Sequence, residues 1–390
     1  MRLYGDGWLT KATPMQDSGS GPLVDVLLPV YNGAATIVES IESLLQQTVS
    51  RLRILVVDDG SKDATAEILA DLSRRDPRVV VITQPNGGIV EALNHGLSHV
   101  TAPFVARQDA DDISFPDRIQ RQLEAFEAEP SLVAVSGSCI HIDTDGRETG
   151  SHYTVPDTDA ADDHSLPANE PYLLHPFLMV RSEAFTAVHG YRYVFHSEDT
   201  DLYWRLREVG RLKNFPTALG KMRLHAGSIS NASLQNGRIM AVQSQLAAIS
   251  ARRRADGRED LAFPRTALAE YRTAPDLQAM IAIAGRSLDD AERDYLRKAT
   301  AVKLLELASG RMYEIDDVDC AFIRDVYASL SPAQIGSRTI ANWAYRTTVT
   351  RLLNQRRFSE LRALLDFGVL SRALRLRLAA IGHGTPEKSA

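Results

Sequence analysis

Four short apolar runs, each closed by a polar turn and followed by a segment of helical period, constrain this chain more than any other feature. They are VDVLLPV at 24–30, RILVV at 53–57, VVVIT at 79–83 and FVAR at 104–107. Each is too short for a helix and rich in β-branched residues, the pattern of a buried strand. Between and after them Ile37, Ile41, Leu44 and Leu45, then Ile68, Leu69 and Leu72, then Ile89, Leu93 and Leu97, then Ile119, Leu123 and Phe126 recur at helical spacing. Alternation of this kind predicts an α/β fold with a mostly parallel sheet between helices. Ligands of such sheets bind beyond the carboxyl ends of the strands.

Three polar groups fall at those ends: Tyr31-Asn32-Gly33, Asp58-Asp59-Gly60-Ser61 and Asp109-Ala110-Asp111-Asp112. The turn after the first strand has one glycine, and the P-loop lysine is missing, so neither the dinucleotide fingerprint nor the P-loop is present. Phosphate bound here is therefore not cradled by glycine-rich backbone. Asp109, Asp111, Asp112 and Asp117 repel one another unless a positive charge joins them, which points to a divalent cation.

A length of 390 residues favours two domains, and a net charge of -6 argues against general nucleic-acid binding. Cys139 and Cys320 form neither a metal-binding spacing nor a disulfide framework, which points to a reducing cytoplasm. No apolar run reaches the roughly eighteen residues of a spanning helix. Residues 1–21 lack a signal peptide's apolar stretch and read as a mobile tail. From about 236 the spacing turns wholly helical, predicting an α/β domain over 22–235 and a helical domain over 236–390. Residues 336–390 carry ten Lys and Arg against three acidic residues. Within them DFGVLSRALRLRLAAIG, with Leu370, Leu374 and Leu378, reads as a basic amphipathic helix. Its expected roles are peripheral contact with an anionic membrane surface, acceptor recognition, homo-oligomer formation, or simple packing.

LLPVYNG, VVDDGSKDAT, NGGIVEALNHGL, ARQDADDISFPDR and SEDTDLYWRL, in this order over residues 22–232, resemble the family 2 glycosyltransferases of the GT-A fold. The resemblance implies transfer of a sugar, with inversion, from a nucleotide-diphosphate donor, a UDP-sugar by expectation, to a hydroxyl of a glycan or lipid-linked acceptor. Bacterial polysaccharide synthesis is the expected setting. It implies Mn²⁺ or Mg²⁺ on the D-x-D, with Asp111 the direct ligand and Asp109 binding ribose or metal-bound water. Asp112 is expected to start a helix or to support the ligands from behind. Asp59 is placed against the nucleobase, with Asp58 structural and Pro29 and Tyr31 around the nucleoside. Arg107 is expected either on donor phosphate or in a salt bridge to the acidic cluster. Of the pair Glu198-Asp199, Asp199 is the expected general base and Glu198 the second candidate. His225 is a candidate third ligand, and His175 a candidate wall of the acceptor pocket. The competing readings are a sugar nucleotidyltransferase, whose glycine-rich basic signature is absent, and an inactive nucleotide-sugar-binding scaffold.

Overall fold

The computed structural model describes residues 21–224, 233–310 and 313–365. The chain divides into two compact units, one of Met1–Asp162 with Glu170–Ala226, the other of Asp163–Asn169 with Gly227–Ala390.

The first unit opens with β1 (Val24–Val30), α1 (Ile37–Leu45), β2 (Leu52–Asp58), α2 (Thr65–Arg75), β3 (Val79–Thr83), α3 (Ile89–Leu97) and β4 (Phe104–Arg107). It continues with β5 (Ile113–Ser114), α4 (Arg118–Ala128), β6 (Leu132–Ile142), β7 (Glu148–Tyr153), β8 (Met179–Arg181), α5 (Ser182–Ala187), α6 (Glu198–Val209) and β9 (Arg211–Arg223). These strands form a nine-stranded sheet in the order β3-β2-β1-β4-β8-β6-β9-β5, with β7 added to β6.

The expected parallel pairing holds among β1, β2, β3 and β4. Beyond β4 the sheet is mixed: β8 runs antiparallel to both β4 and β6, β6 and β9 are parallel, and β5 and β7 are antiparallel to β9 and β6. The three-residue β8 follows a 3₁₀ turn at His175–Phe177.

Each central strand is buried on both faces, so its apolar residues divide by parity. Val24, Val26, Leu28, Ile54, Val56, Phe104 and Ala106 pack under α1, α2 and α4. Leu27, Leu55, Val57, Val105 and Val180 pack under α3, α5 and α6. Gly96 of α3 lies so close to β1 that a Cβ there would stand 2.1 Å from a Leu27 methyl.

The second unit is helical: α7 (Leu234–Ala255), α8 (Ala267–Thr273), α9 (Leu277–Ala284), α10 (Asp290–Gly310), α11 (Asp317–Ser329), α12 (Ile340–Asn354) and α13 (Phe358–Leu364). Four of its helices, α7, α9, α11 and α12, start where the side chains of Ser233, Asp276, Asp316 and Thr339 accept from free backbone amides. Asp316 and Asp319 form a reciprocal capping box on α11, and the buried Arg238 of α7 ties both carboxylates at 2.6 and 2.9 Å. Trp343, Leu353 and Phe358 are exposed here, with Arg346, Arg356 and Arg362. No helix among the described residues is long and apolar enough to cross a membrane. The amphipathic segment at 366–382 lies outside the described residues.

Candidate active site

The loops after β1 and β2 are stitched together. Asn32, in the left-handed conformation (φ 54°), donates its amide to Ser61 Oγ at 2.9 Å and accepts from the Lys62 amide at 2.7 Å. The Gly33 amide donates to Thr65 Oγ1 at 2.9 Å. Pro29 is buried at the end of β1, and Tyr31 stands half exposed at the mouth of this double loop.

Asp59 lies at the floor of the same region, buried, and the loop after β3 closes on it. Its Oδ1 accepts from Gln84 Nε2 and the Gly87 amide, both at 2.7 Å, and its Oδ2 from the Gly88 amide at 2.8 Å. Asn86 Nδ2 takes its carbonyl at 3.0 Å. Gly60 permits the approach: its φ is +75°, and a Cβ there would stand 2.8 Å from the Asn86 amide nitrogen. Asp58, equally buried, accepts from the Ser61 amide at 2.9 Å. Asp59 thus braces the NGG loop, a task its sequence position did not suggest. Any nucleobase contact must use what capacity its carboxylate keeps.

The acidic loop follows β4. Asp109, Asp111 and Asp112 can each offer an oxygen, all within 4.8 Å of one another. Asp109 is paired with Arg107 and, through its carbonyl, accepts from Ser40 Oγ of α1 at 2.9 Å. Burial raises the Asp109 carboxyl above its ordinary value, against the pull of the Arg107 guanidinium. Asp112 is almost wholly buried. Its Oδ1 accepts from the Arg223 amide at 2.9 Å, while its Oδ2 is buried with no hydrogen-bond partner among the described residues. Burial, then the neighbouring Asp109 and Asp111, push this carboxyl well above the usual range. An orphaned buried carboxylate oxygen beside two further carboxylates is what a hard cation relieves. Asp112 therefore joins the candidate ligands, a position more prominent than its sequence role.

Three residues that sequence reasoning passed over hold this loop in shape. Gln108, fully buried, donates to Ser40 and to the Asp112 carbonyl and accepts from Ser114 and Arg118. Arg118, also fully buried, spends its guanidinium on neutral acceptors: Gln122 Oε1, Gln108 Oε1, Ser114 Oγ and the Arg107 and Leu178 carbonyls. Burial without a carboxylate partner pulls its pKa down to about 9. Arg223, at the end of β9, reaches the Asp111, Asp143 and Thr144 carbonyls and Glu39 of α1. Gly220 lets β9 pass under β5, since a Cβ there would stand 2.3 Å from the Ile113 carbonyl oxygen. The signal available for Arg118 was its place at the start of a helix directly behind four carboxylates.

Glu198 and Asp199 form the first turn of α6, after His196 in the left-handed conformation (φ 58°). Asp199 Oδ1 accepts from the Thr200 amide at 2.7 Å. The helix is pinned by Asp201, which is fully buried between Arg192 and Arg205; Arg205 also donates to the Val188 and Gly190 carbonyls. Burial, then the adjacent Asp199 carboxylate, raise Glu198 from 4.5 to about 8. The sign of its effect on stability follows. From about pH 4.5 to about pH 8 an unfolded chain ionises Glu198 while the folded chain keeps its proton, so this residue lowers stability as pH rises through that window. Glu198→Gln is therefore expected to raise Tm by about 3 °C at pH 8 and to leave it unchanged at pH 4.5, in EDTA. Equal shifts at both pH values in a melting series would show that ionisation is not the cause.

His175 is buried, with Nε2 paired to the Tyr191 hydroxyl at 2.8 Å and its ring edge-on to Tyr203. Burial, helped by the Arg107 charge, holds its pKa well below the ordinary 6.5, so it is neutral. The structure gives it a place behind Tyr191, with 8% of its surface exposed. His225 lies outside the described residues.

Residues 25–188 match the sequence profile of the glycosyl transferase family 2. EpsE of Bacillus subtilis (strain 168), a protein named as a glycosyltransferase, is 33% identical over 211 residues, which is 52% of this chain and 74% of EpsE. The chain belongs to glycosyl transferase family 2. The amylovoran biosynthesis glycosyltransferase AmsE of Erwinia amylovora is 30% identical over 213 residues, 53% of this transferase and 77% of AmsE. Among solved structures, the mannosyltransferase PcManGT of Pyrobaculum calidifontis, in complex with GDP-Man and Mn²⁺, aligns with a TM-score of 0.50 at 19% identity. That alignment covers 94% of this chain and 90% of PcManGT, and it supports the GT-A fold.

Proposed function

We propose that the transferase moves a sugar, with inversion, from a nucleoside-diphosphate donor, a UDP-sugar first, to a hydroxyl of a glycan or lipid-linked acceptor. The observation that carries this is the pairing of a three-carboxylate cluster after β4, with an orphaned buried oxygen on Asp112, and a second carboxyl pair opening α6. Asp109, Asp111 and Asp112 are the residues that would hold Mn²⁺ or Mg²⁺, whose charge would stabilise the departing diphosphate. The double loop of Pro29, Tyr31 and Asp59 would take the nucleoside.

The acceptor hydroxyl is a weak nucleophile and needs a base as it attacks. Glu198, raised to about 8 by burial and the adjacent Asp199, is protonated at neutral pH, and Asp199 is taken as the base. The proton passes from the acceptor oxygen to Asp199 as the new glycosidic bond forms and the bond to the diphosphate breaks. Arg118, Gln108 and Arg223 hold the acidic loop in place meanwhile, and Asp201 holds the base helix.

The test is a thermal-shift series of UDP, GDP, CDP and ADP with Mn²⁺. A ligand that binds only the native state at 100 times its Kd stabilises by about 2.7 kcal/mol. The expectation is a rise with UDP that EDTA removes. No shift with any nucleotide would overturn the nucleotide-sugar reading.

A further inference from the structure

β4 alternates its side chains between the two faces of the sheet. Phe104 and Ala106 lie in the core under α1, α2 and α4, and Val105 lies in the core under α3, α5 and α6. Arg107, two residues past Val105, continues onto the second face, where Leu178, Tyr191, Leu202 and Tyr203 pack. The side chain therefore starts on the side of the base helix and ends, through Nη2, on Asp109 of the acidic loop.

Only 5% of Arg107 is exposed, yet its Nε and Nη1 have no hydrogen-bond partner among the described residues. The other two arginines of the site are different. Arg118 and Arg223, just as buried, each spend all three guanidinium nitrogens on named acceptors. A buried donor edge left open is costly, and either an ordered water or an incoming ligand can satisfy it. The Arg107 charge is felt by Asp112 of the acidic loop and also by Glu198 of α6, His175 and Tyr191.

Inverting transfer sets base, anomeric carbon and leaving oxygen in line, so the sugar in transit occupies the interval between α6 and the acidic loop. Resting on the function proposed above, we infer that Arg107 binds this sugar, its Nε and Nη1 donating to hydroxyl oxygens of the ring being transferred. Asp109 already balances the charge of Arg107. What remains is a planar pair of directional donors, suited to neutral oxygens, on the α6 face.

Arg107→Lys keeps a cation for Asp109 and removes the planar pair. The expected result is a fall in kcat/KM for transfer of about 10- to 100-fold, with the affinity for UDP and Mn²⁺ held within about two-fold. Deoxy-sugar donors complete the cycle. At least one deoxy position should cost the wild type a similar factor and cost Arg107→Lys nothing further. UDP affinity falling in step with kcat/KM would make Arg107 a phosphate ligand and overturn the inference. Unchanged kcat/KM would do the same, leaving the open edge to water. Should Arg107→Lys fail to fold, the deoxy series on the wild type decides: if no position costs more than about two-fold, Arg107 does not read the sugar. Failure of the broader reading is distinguishable, because the wild type would then bind no nucleoside diphosphate.

Discussion

Asp199→Asn is expected to lower kcat by about 10²- to 10⁴-fold, the range a positioned general base contributes, with donor affinity nearly unchanged. The substitution keeps the shape of the side chain and an oxygen for the Thr200 amide, so the first turn of α6 keeps its geometry. What it removes is a proton acceptor. The neighbour is a poor replacement at neutral pH, because burial, the larger cause of the raised Glu198 pKa, persists in the variant. A second expectation separates the two carboxyls. Removing the Asp199 charge relieves Glu198 of its nearest anion, so the residual activity of Asp199→Asn should rise with pH as Glu198 ionises. The measurement is a pH series of kcat for the wild type and both variants, with calorimetry for the donor. A loss of donor binding equal to the loss of kcat would remove Asp199 from the acceptor side altogether.

The half of the sheet that was legible in the sequence is the half whose strands are short and buried on both faces. VDVLLPV, VVVIT and FVAR became β1, β3 and β4 with the ends expected. β6 and β9 were not legible. LVAVSGSCIHI is interrupted by Ser136-Gly137-Ser138, and RLKNFPTALGKMR by Pro216 and Gly220, so neither shows a clean period. Their pairing register shifts at Gly137/Ser138 and again at Ser138/Ile140, and such irregularity arises from tertiary contact. The same division runs through the site. Charged residues at the end of an element, such as Asp109 and Asp111 after β4 and Asp199 in the first turn of α6, are candidates by position. Residues that act by holding others, such as Arg118 and Arg223, need the partner to be seen. Asp59 shows both at once. Its strand-end position marked it as functional, but its two oxygens are held by Gln84, Gly87 and Gly88, a local task that no motif specifies.

Asp111→Asn is expected to reduce transfer by about 10³-fold or more, the scale on which a bound divalent cation stabilises a departing diphosphate. Three carboxylates offer oxygens within 4.8 Å of one another; Arg107 pairs with Asp109, the Arg223 backbone amide donates to Asp112 Oδ1, and the Arg223 Nε donates to the Asp111 carbonyl. A cation has most to gain here, and removing one of three anionic ligands takes away a large share of that gain. The backbone of the loop should survive, because its restraints run through Ser40, Gln108 and Arg223 and not through the Asp111 carboxylate alone. The informative readout is therefore binding as well as rate. Titration of Mn²⁺ by calorimetry, with and without UDP, should show a wild-type site that is lost in Asp111→Asn, and Tm without metal should change little. Asp112→Asn makes the companion test. If Asp112 Oδ2 is a ligand, this variant also weakens Mn²⁺; if it is only buried, the variant gains stability without metal and keeps its affinity for Mn²⁺. Full activity of the wild type in exhaustive chelator would end the metal reading and leave the diphosphate to be neutralised by arginine.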